Sequence, residues 1–119
     1  MLAVKGAHFH LKVRDLSGAL QWFDRVLKSK PVYRDREMAV VPFGPLTVIF
    51  DKAPKDSPAT LAYLSRNCDA DYTTVLQRGA RPVEPPRDRV YGVRSAYVKG
   101  PGALTIEIEQ PLKKKPRRT

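Results

Sequence analysis

From His8 to Val13 the chain alternates, with Phe9, Leu11 and Val13 projecting to one side and His8, His10 and Lys12 to the other. A strand sends successive side chains to opposite faces, so this period of two predicts a strand with one face on a core and a polar face left open. The period then changes. Leu16, Leu20, Phe23 and Leu27 recur at spacings of four, three and four, which puts them on one stripe of a helix ending before Pro31. Asp15 stands where a side-chain oxygen can accept from that helix's first free amides. Short β-rich runs follow at Val32 to Arg34, Met38 to Pro42 and Leu46 to Asp51, with turn signals at Asp35-Arg36 and Gly44-Pro45. The first half therefore reads β-α-β-β-β.

The second half repeats the plan. Gly44-Pro45-Leu46-Thr47-Val48-Ile49-Phe50-Asp51 is echoed 58 residues later by Gly102-Ala103-Leu104-Thr105-Ile106-Glu107-Ile108-Glu109, and Ala7 to Leu11 is echoed by Ala59 to Tyr63. After a connector at Lys52 to Pro58, the pattern predicts a strand at Thr60 to Leu64 and a helix at about Asp69 to Arg78. Strands follow near Arg81 to Glu84, Val93 to Lys99 and Leu104 to Glu109. The helix has a thin apolar stripe of Tyr72, Val75 and Leu76, and Gly79 supplies its stop. Glu84-Pro85-Pro86-Arg87-Asp88-Arg89 reads as a loop, because two prolines remove amide donors.

A chain of 119 residues with 42% hydrophobic content suits one domain with one core. We expect that domain to span residues 1–111, with modules at about 5–51 and 59–111. No run approaches the roughly 20 apolar residues of a membrane span, and the N-terminus lacks signal-peptide character, so a cytoplasmic protein with no membrane partner is expected. Cys68 is the single cysteine and reads as a small packing residue. The net charge of +10 raises the question of polyanions. Five of those charges, Lys113, Lys114, Lys115, Arg117 and Arg118, lie in the last seven residues, which leaves +5 for the body. Residues 112–119 are expected to be a disordered basic tail. The arginines at 81, 87, 89 and 94 are interleaved only with Tyr91, a poor stacking signature for single-stranded nucleic acid.

The order of these pieces resembles the vicinal oxygen chelate superfamily, which includes glyoxalase I, bleomycin-resistance proteins and extradiol dioxygenases. The resemblance covers about residues 5 to 111. It rests on Ala7 to Leu16, on the helix Leu20 to Leu27, on Tyr91 to Val98, and on Gly100-Pro101-Gly102-Ala103-Leu104-Thr105-Ile106-Glu107-Ile108. That last stretch is similar to the family's Asp-Pro-Asp-Gly turn and following strand, with both aspartates replaced by glycine. The resemblance implies an α+β fold in which two tandem βαβββ modules form an open, curved mixed sheet with helices on the convex face. It also implies a ligand groove between modules and, commonly, a homodimer.

In the family's enzymes the first and last strands of each module hold a divalent metal. Those positions fall here on His8, Ile49, Thr60 and Glu107. His8 and Glu107 match, whereas Ile49 cannot coordinate and Thr60 replaces a second histidine. A catalytic metal needs about three protein ligands and an open position. His10 lies on the same strand face as His8, but residues i and i+2 are ~6.5–7 Å apart along a strand, so both rings would have to lean together. We therefore expect no cofactor, with Zn, Mn, Ni or Fe held by His8 and Glu107 as the alternative.

Strand parity gathers His8, His10, Lys12, Thr47, Ile49, Thr60, Ala62, Leu64, Thr105 and Glu107 on the concave face. Two imidazoles and a lysine against one glutamate favour an anionic or neutral organic ligand. Arg94, at the rim in the family pattern, could clamp a carboxylate. Trp22 reads as packing rather than as a stacking platform. The leading expectation is a small-molecule-binding protein with a degraded metal site. The alternatives are a metal-dependent lyase, transferase or dioxygenase, and a polyanion-associated protein that uses its tail.

Overall fold

The periodic segments become ten elements in the computed structural model, which describes residues 2–113. They are β1 (His8–Val13), α1 (Leu16–Leu27), β2 (Tyr33–Arg34), β3 (Met38–Phe43), β4 (Leu46–Lys52), β5 (Ala59–Leu64), α2 (Cys68–Gln77), β6 (Arg81–Asp88), β7 (Val93–Lys99) and β8 (Leu104–Pro111). The chain divides into two units. The first runs through Ala59 and takes in Pro101–Ala103; the second comprises Thr60–Gly100 and the chain from Leu104 onward. Each is α+β, with one four-stranded sheet and one helix.

In the first unit the strand order is β1-β4-β3-β2. β1 and β4 run parallel, with Phe9 opposite Val48 and Leu11 opposite Phe50, and the remaining pairs are antiparallel. Because side chains alternate, this register gathers Leu11, Val13, Ala39, Val41, Val48 and Phe50 on one face, where all are buried. α1 covers that face. Asp15 starts the helix by accepting from the Gly18 amide at 2.9 Å. Phe23, fully buried, meets Phe43 and Phe50 edge-to-face at ring-centroid distances of 6.2 and 5.0 Å. The turn at 101–103 explains one sequence departure. Gly102 has φ 62°, where a residue with a Cβ is strained, and a Cβ there would lie 2.9 Å from Asp56 Oδ1, so the Asp56 carboxylate would have to shift to admit one.

The second unit repeats the order as β5-β8-β7-β6. Ala96, Val98, Leu104, Ile106 and Ile108 are fully buried on its helix side. α2 buries only Cys68 and Val75, in keeping with its thin stripe, and polar anchors supplement them. Asn67 accepts from the Ala70 amide at 3.1 Å, and Gln110 Oε1 accepts from the Cys68 amide at 2.8 Å. Asp71 accepts from the hydroxyls of Tyr63 and Ser65 at 2.9 and 2.7 Å. Burial, followed by the neighbouring Asp71 carboxylate, pushes the Tyr63 phenol far above its ordinary range.

One expectation is corrected. Residues 84–88 are strand rather than loop, and β6 continues through Asp88. β6 is the edge strand of its sheet, where prolines can face away from the ladder, and its register shifts between Pro82 and Glu84 and again between Glu84 and Arg87 absorb the missing donors. The expected basic tail lies outside the described residues from position 114. Leu112 is tied in, donating its amide to the Gly92 carbonyl at 3.0 Å. No helix among the described residues is long and apolar enough to cross a membrane.

Phe23→Ala removes the centre of the first unit's aromatic cluster, and we expect it to cost about 3–5 kcal/mol of unfolding free energy in chemical denaturation.

Candidate functional site

Each sheet has a second face that no helix of its own unit covers, and the polar residues of the alternating strands stand there. In the first unit this face carries His8, His10 and Lys12 from β1, all exposed, beside half-buried Thr47 and Asp51 from β4. The register sets His8 opposite Thr47, His10 opposite Ile49 and Lys12 opposite Asp51. His10 reaches one step diagonally, and its Nδ1 lies 2.7 Å from Asp51 Oδ2. An ionised carboxylate only accepts, so Nδ1 donates and Nε2 is left to face outward. The His8 ring stands edge-to-face with His10, their centroids 5.2 Å apart. Asp51 was not singled out from the sequence, although its parity with Thr47 places it on this face.

In the second unit the corresponding face carries exposed Thr60, Ala62 and Leu64 from β5 and half-buried Thr105, Glu107 and Glu109 from β8. Tyr97 is paired with Glu107 across β7 and β8. Burial, and then the Glu107 charge, push both the Tyr97 phenol and the Glu109 carboxyl above their ordinary values. Alongside lies a closed polar network. The Arg89 guanidinium forks onto Glu84 at 3.2 and 3.4 Å, donates from Nε to Ser95 Oγ at 2.8 Å, and lies 5.7 Å from the Tyr97 ring centroid. The bond to Arg89 holds the Glu84 carboxyl below its usual range. The sequence offers Arg89 as a candidate polyanion contact, whereas in the structure its guanidinium is engaged by Glu84 and Ser95.

Arg94 is placed differently from its expected rim position. It alternates with Ser95 and Tyr97, so it falls on the helix side of β7, where it donates to Asp69 of α2 at 3.1 Å and to Asp88 at 2.9 Å. The basic excess expected on the open faces is smaller too, since Asp51 and Glu109 add two carboxylates.

The donors do not fit a three-ligand metal centre. Ile49 is a hydrocarbon, buried at 8% exposure, Thr60 offers a neutral hydroxyl, and His10 Nδ1 is engaged by Asp51. Among the described residues no group of three or more His, Cys, Asp or Glu side chains is arranged to hold a metal ion.

No protein-family model matches the chain, and no curated protein matches its sequence. Solved structures do match. A glyoxalase/bleomycin resistance protein/dioxygenase from Nocardioides superposes with a TM-score of 0.82 at 17% identity, covering 100% of this chain and 91% of that one. The chain shares the fold of glyoxalase/bleomycin resistance/dioxygenase proteins. A bleomycin-binding protein complexed with bleomycin shares this fold at a TM-score of 0.75 and 19% identity, covering 90% of this chain and 98% of that one. A virulence protein from Salmonella typhimurium does so at 0.75 and 24% identity, with 94% and 100% covered.

A raised carboxyl pKa destabilises the folded state once the group must ionise, so Glu109 favours folding only while protonated, and that benefit is lost as pH rises through its folded-state value. Glu109→Gln is therefore expected to raise the thermal midpoint at neutral pH. The difference from wild type should vanish as the pH falls below the ordinary carboxylate range, as calorimetry across pH would show.

Proposed function

We propose that this chain binds a small organic molecule, anionic or neutral, on the open faces of its two sheets, and does so without a catalytic metal. The observation that carries this reading is the set of polar side chains on the sheet face that each unit's own helix leaves uncovered: His8, His10, Lys12 and Thr47 in the first unit, and Thr60, Thr105 and Glu107 in the second. They lie outside the helix-covered core, and a few hydrogen-bonding side chains placed beside apolar ones such as Ile49 are what fixes the orientation of a small molecule. The charges divide by unit. His8 and Lys12 make the first unit's face the natural seat for an anionic group, while Glu107, Glu109 and the threonines suit neutral hydrogen-bonding groups. The bleomycin-binding protein of the same fold lends support, since it is complexed with a small organic molecule. We further propose a cytoplasmic homodimer, the arrangement that the family resemblance suggests.

The test is a titration of metal-stripped protein. Small aromatic carboxylates are expected to shift the backbone amide resonances of His8, Thr47, Thr60 and Thr105 saturably and to raise the melting temperature. A ligand at a hundred times its Kd adds about 2.7 kcal/mol to the native state. Zn²⁺, Mn²⁺, Ni²⁺ and Fe²⁺ are expected to give no saturable rise. A rise with one of these ions that disappears in both His8→Ala and Glu107→Ala would replace this reading with a metal-dependent enzyme.

A further inference from the structure

A concavity of about 550 Å³ opens in the first unit on the helix side, away from the open face, and Arg14, Asp15, Trp22, Arg25, Asp56 and Gly102 line it. We infer that it is a binding site for a zwitterionic aromatic molecule, one that carries an ammonium and a carboxylate beside a planar ring.

Trp22 is half-buried, with its ring tilted against Phe23 at 5.7 Å, so the indole is fixed by packing while part of it faces the concavity. A rigid indole gives a ring a flat apolar surface at small entropic cost. The space beside it is open because small residues leave it so. A Cβ at Gly102 would fall 2.9 Å from Asp56 Oδ1, and one at Gly18 would fall 2.3 Å from Asp15 Oδ2. The lining carries charges of both signs, Arg14 and Arg25 with Asp15 and Asp56, and a ligand bearing one charge of each sign complements it better than a simple anion or cation does.

The two carboxylates are fixed in place. Asp56 Oδ1 accepts from the Arg14 amide at 2.8 Å, and Asp15 Oδ1 accepts from the Gly18 amide. Each keeps a second oxygen with which to accept from an ammonium. The Gly18 amide in the first turn of α1 is taken by Asp15. The Arg14 guanidinium makes no ion pair among the described residues, and it is an exposed fork suited to a carboxylate. The ring then lies on Trp22, with its carboxylate toward Arg14 and its ammonium toward the Asp15 and Asp56 carboxylates. None of these residues belongs to the open faces, so the inference stands apart from the reading above.

Trp22 is the single tryptophan of the chain, so it reports on this concavity alone. Titration of the full chain with 4-nitrophenylalanine, a quencher with all three features, is expected to quench its fluorescence saturably. 4-Nitrobenzoate and 4-nitrobenzylamine, each lacking one charge, should bind about three- to tenfold more weakly, as the loss of one partly exposed ion pair implies. Arg14→Gln should weaken the zwitterion to the level of the amine. Asp15→Asn, which retains the helix cap, should weaken it toward the level of the carboxylate. His8→Ala and Glu107→Ala should leave the titration unchanged. Unsaturable quenching that is identical in wild type and variants would overturn the inference, as would equal affinity for the zwitterion and either singly charged analogue.

Discussion

A β-strand cannot turn both sets of its side chains toward one core, and the organisation of each unit follows from that limit. In the first unit, α1 seats Phe23 on Phe43 and Phe50, which fixes the odd-numbered positions of β1 and the even-numbered positions of β4 as the buried set. The complementary set, His8, His10, Lys12, Thr47 and Asp51, is then held outward with no freedom to exchange. A slip of one residue would bury the histidines and expose Leu11 and Phe50. The second unit obeys the same limit, with Leu104, Ile106 and Ile108 inward and Thr105, Glu107 and Glu109 outward. The aromatic and aliphatic packing thus positions the polar residues, although it touches none of them.

The two open faces handle their charges differently. On the second unit's face, Arg89, Glu84, Ser95 and Tyr97 largely satisfy one another, and the Glu107–Glu109 pair remains with one carboxyl pushed upward by burial and like charge. On the first unit's face His10 is paired with Asp51, and His8 and Lys12 are exposed. Among the described residues no buried side-chain nitrogen or oxygen lacks a hydrogen-bond partner. The polar excess therefore sits where solvent or a ligand can reach it, and it does not strain the core.

What the sequence disclosed was what periodicity encodes. β1 and β7 have the limits that alternation predicts, and α1 starts at Leu16 behind its Asp15 cap. α2 was less legible because much of its anchoring is polar and comes from distant residues, Gln110 on Cys68 and Tyr63 on Asp71. β6 was hidden by Pro85 and Pro86, which mark a loop unless the strand is known to lie at a sheet edge. Asp51 and Glu109 were legible in principle, each lying two residues along the same face from a position that drew attention, Ile49 and Glu107. Arg94 could likewise have been placed from the alternation of β7. The partners of Arg89 could not, because they depend on the bulged register of β6. The exposure of Trp22 to a concavity depends on a turn at 101–102 that is remote in sequence.

The central claim is that one face of each sheet builds the fold while the other is free for a ligand, and equilibrium denaturation of two sets of variants tests it most directly. Val48→Ala and Ile106→Ala represent the buried set; Thr47→Ala, Thr105→Ala and Lys12→Ala represent the open one. The account predicts a loss of about 1–4 kcal/mol for each of the first pair and changes within about 0.5 kcal/mol for the others. Losses in the open-face variants as large as those in the buried ones would show that these side chains hold the fold together, and would contradict the claim.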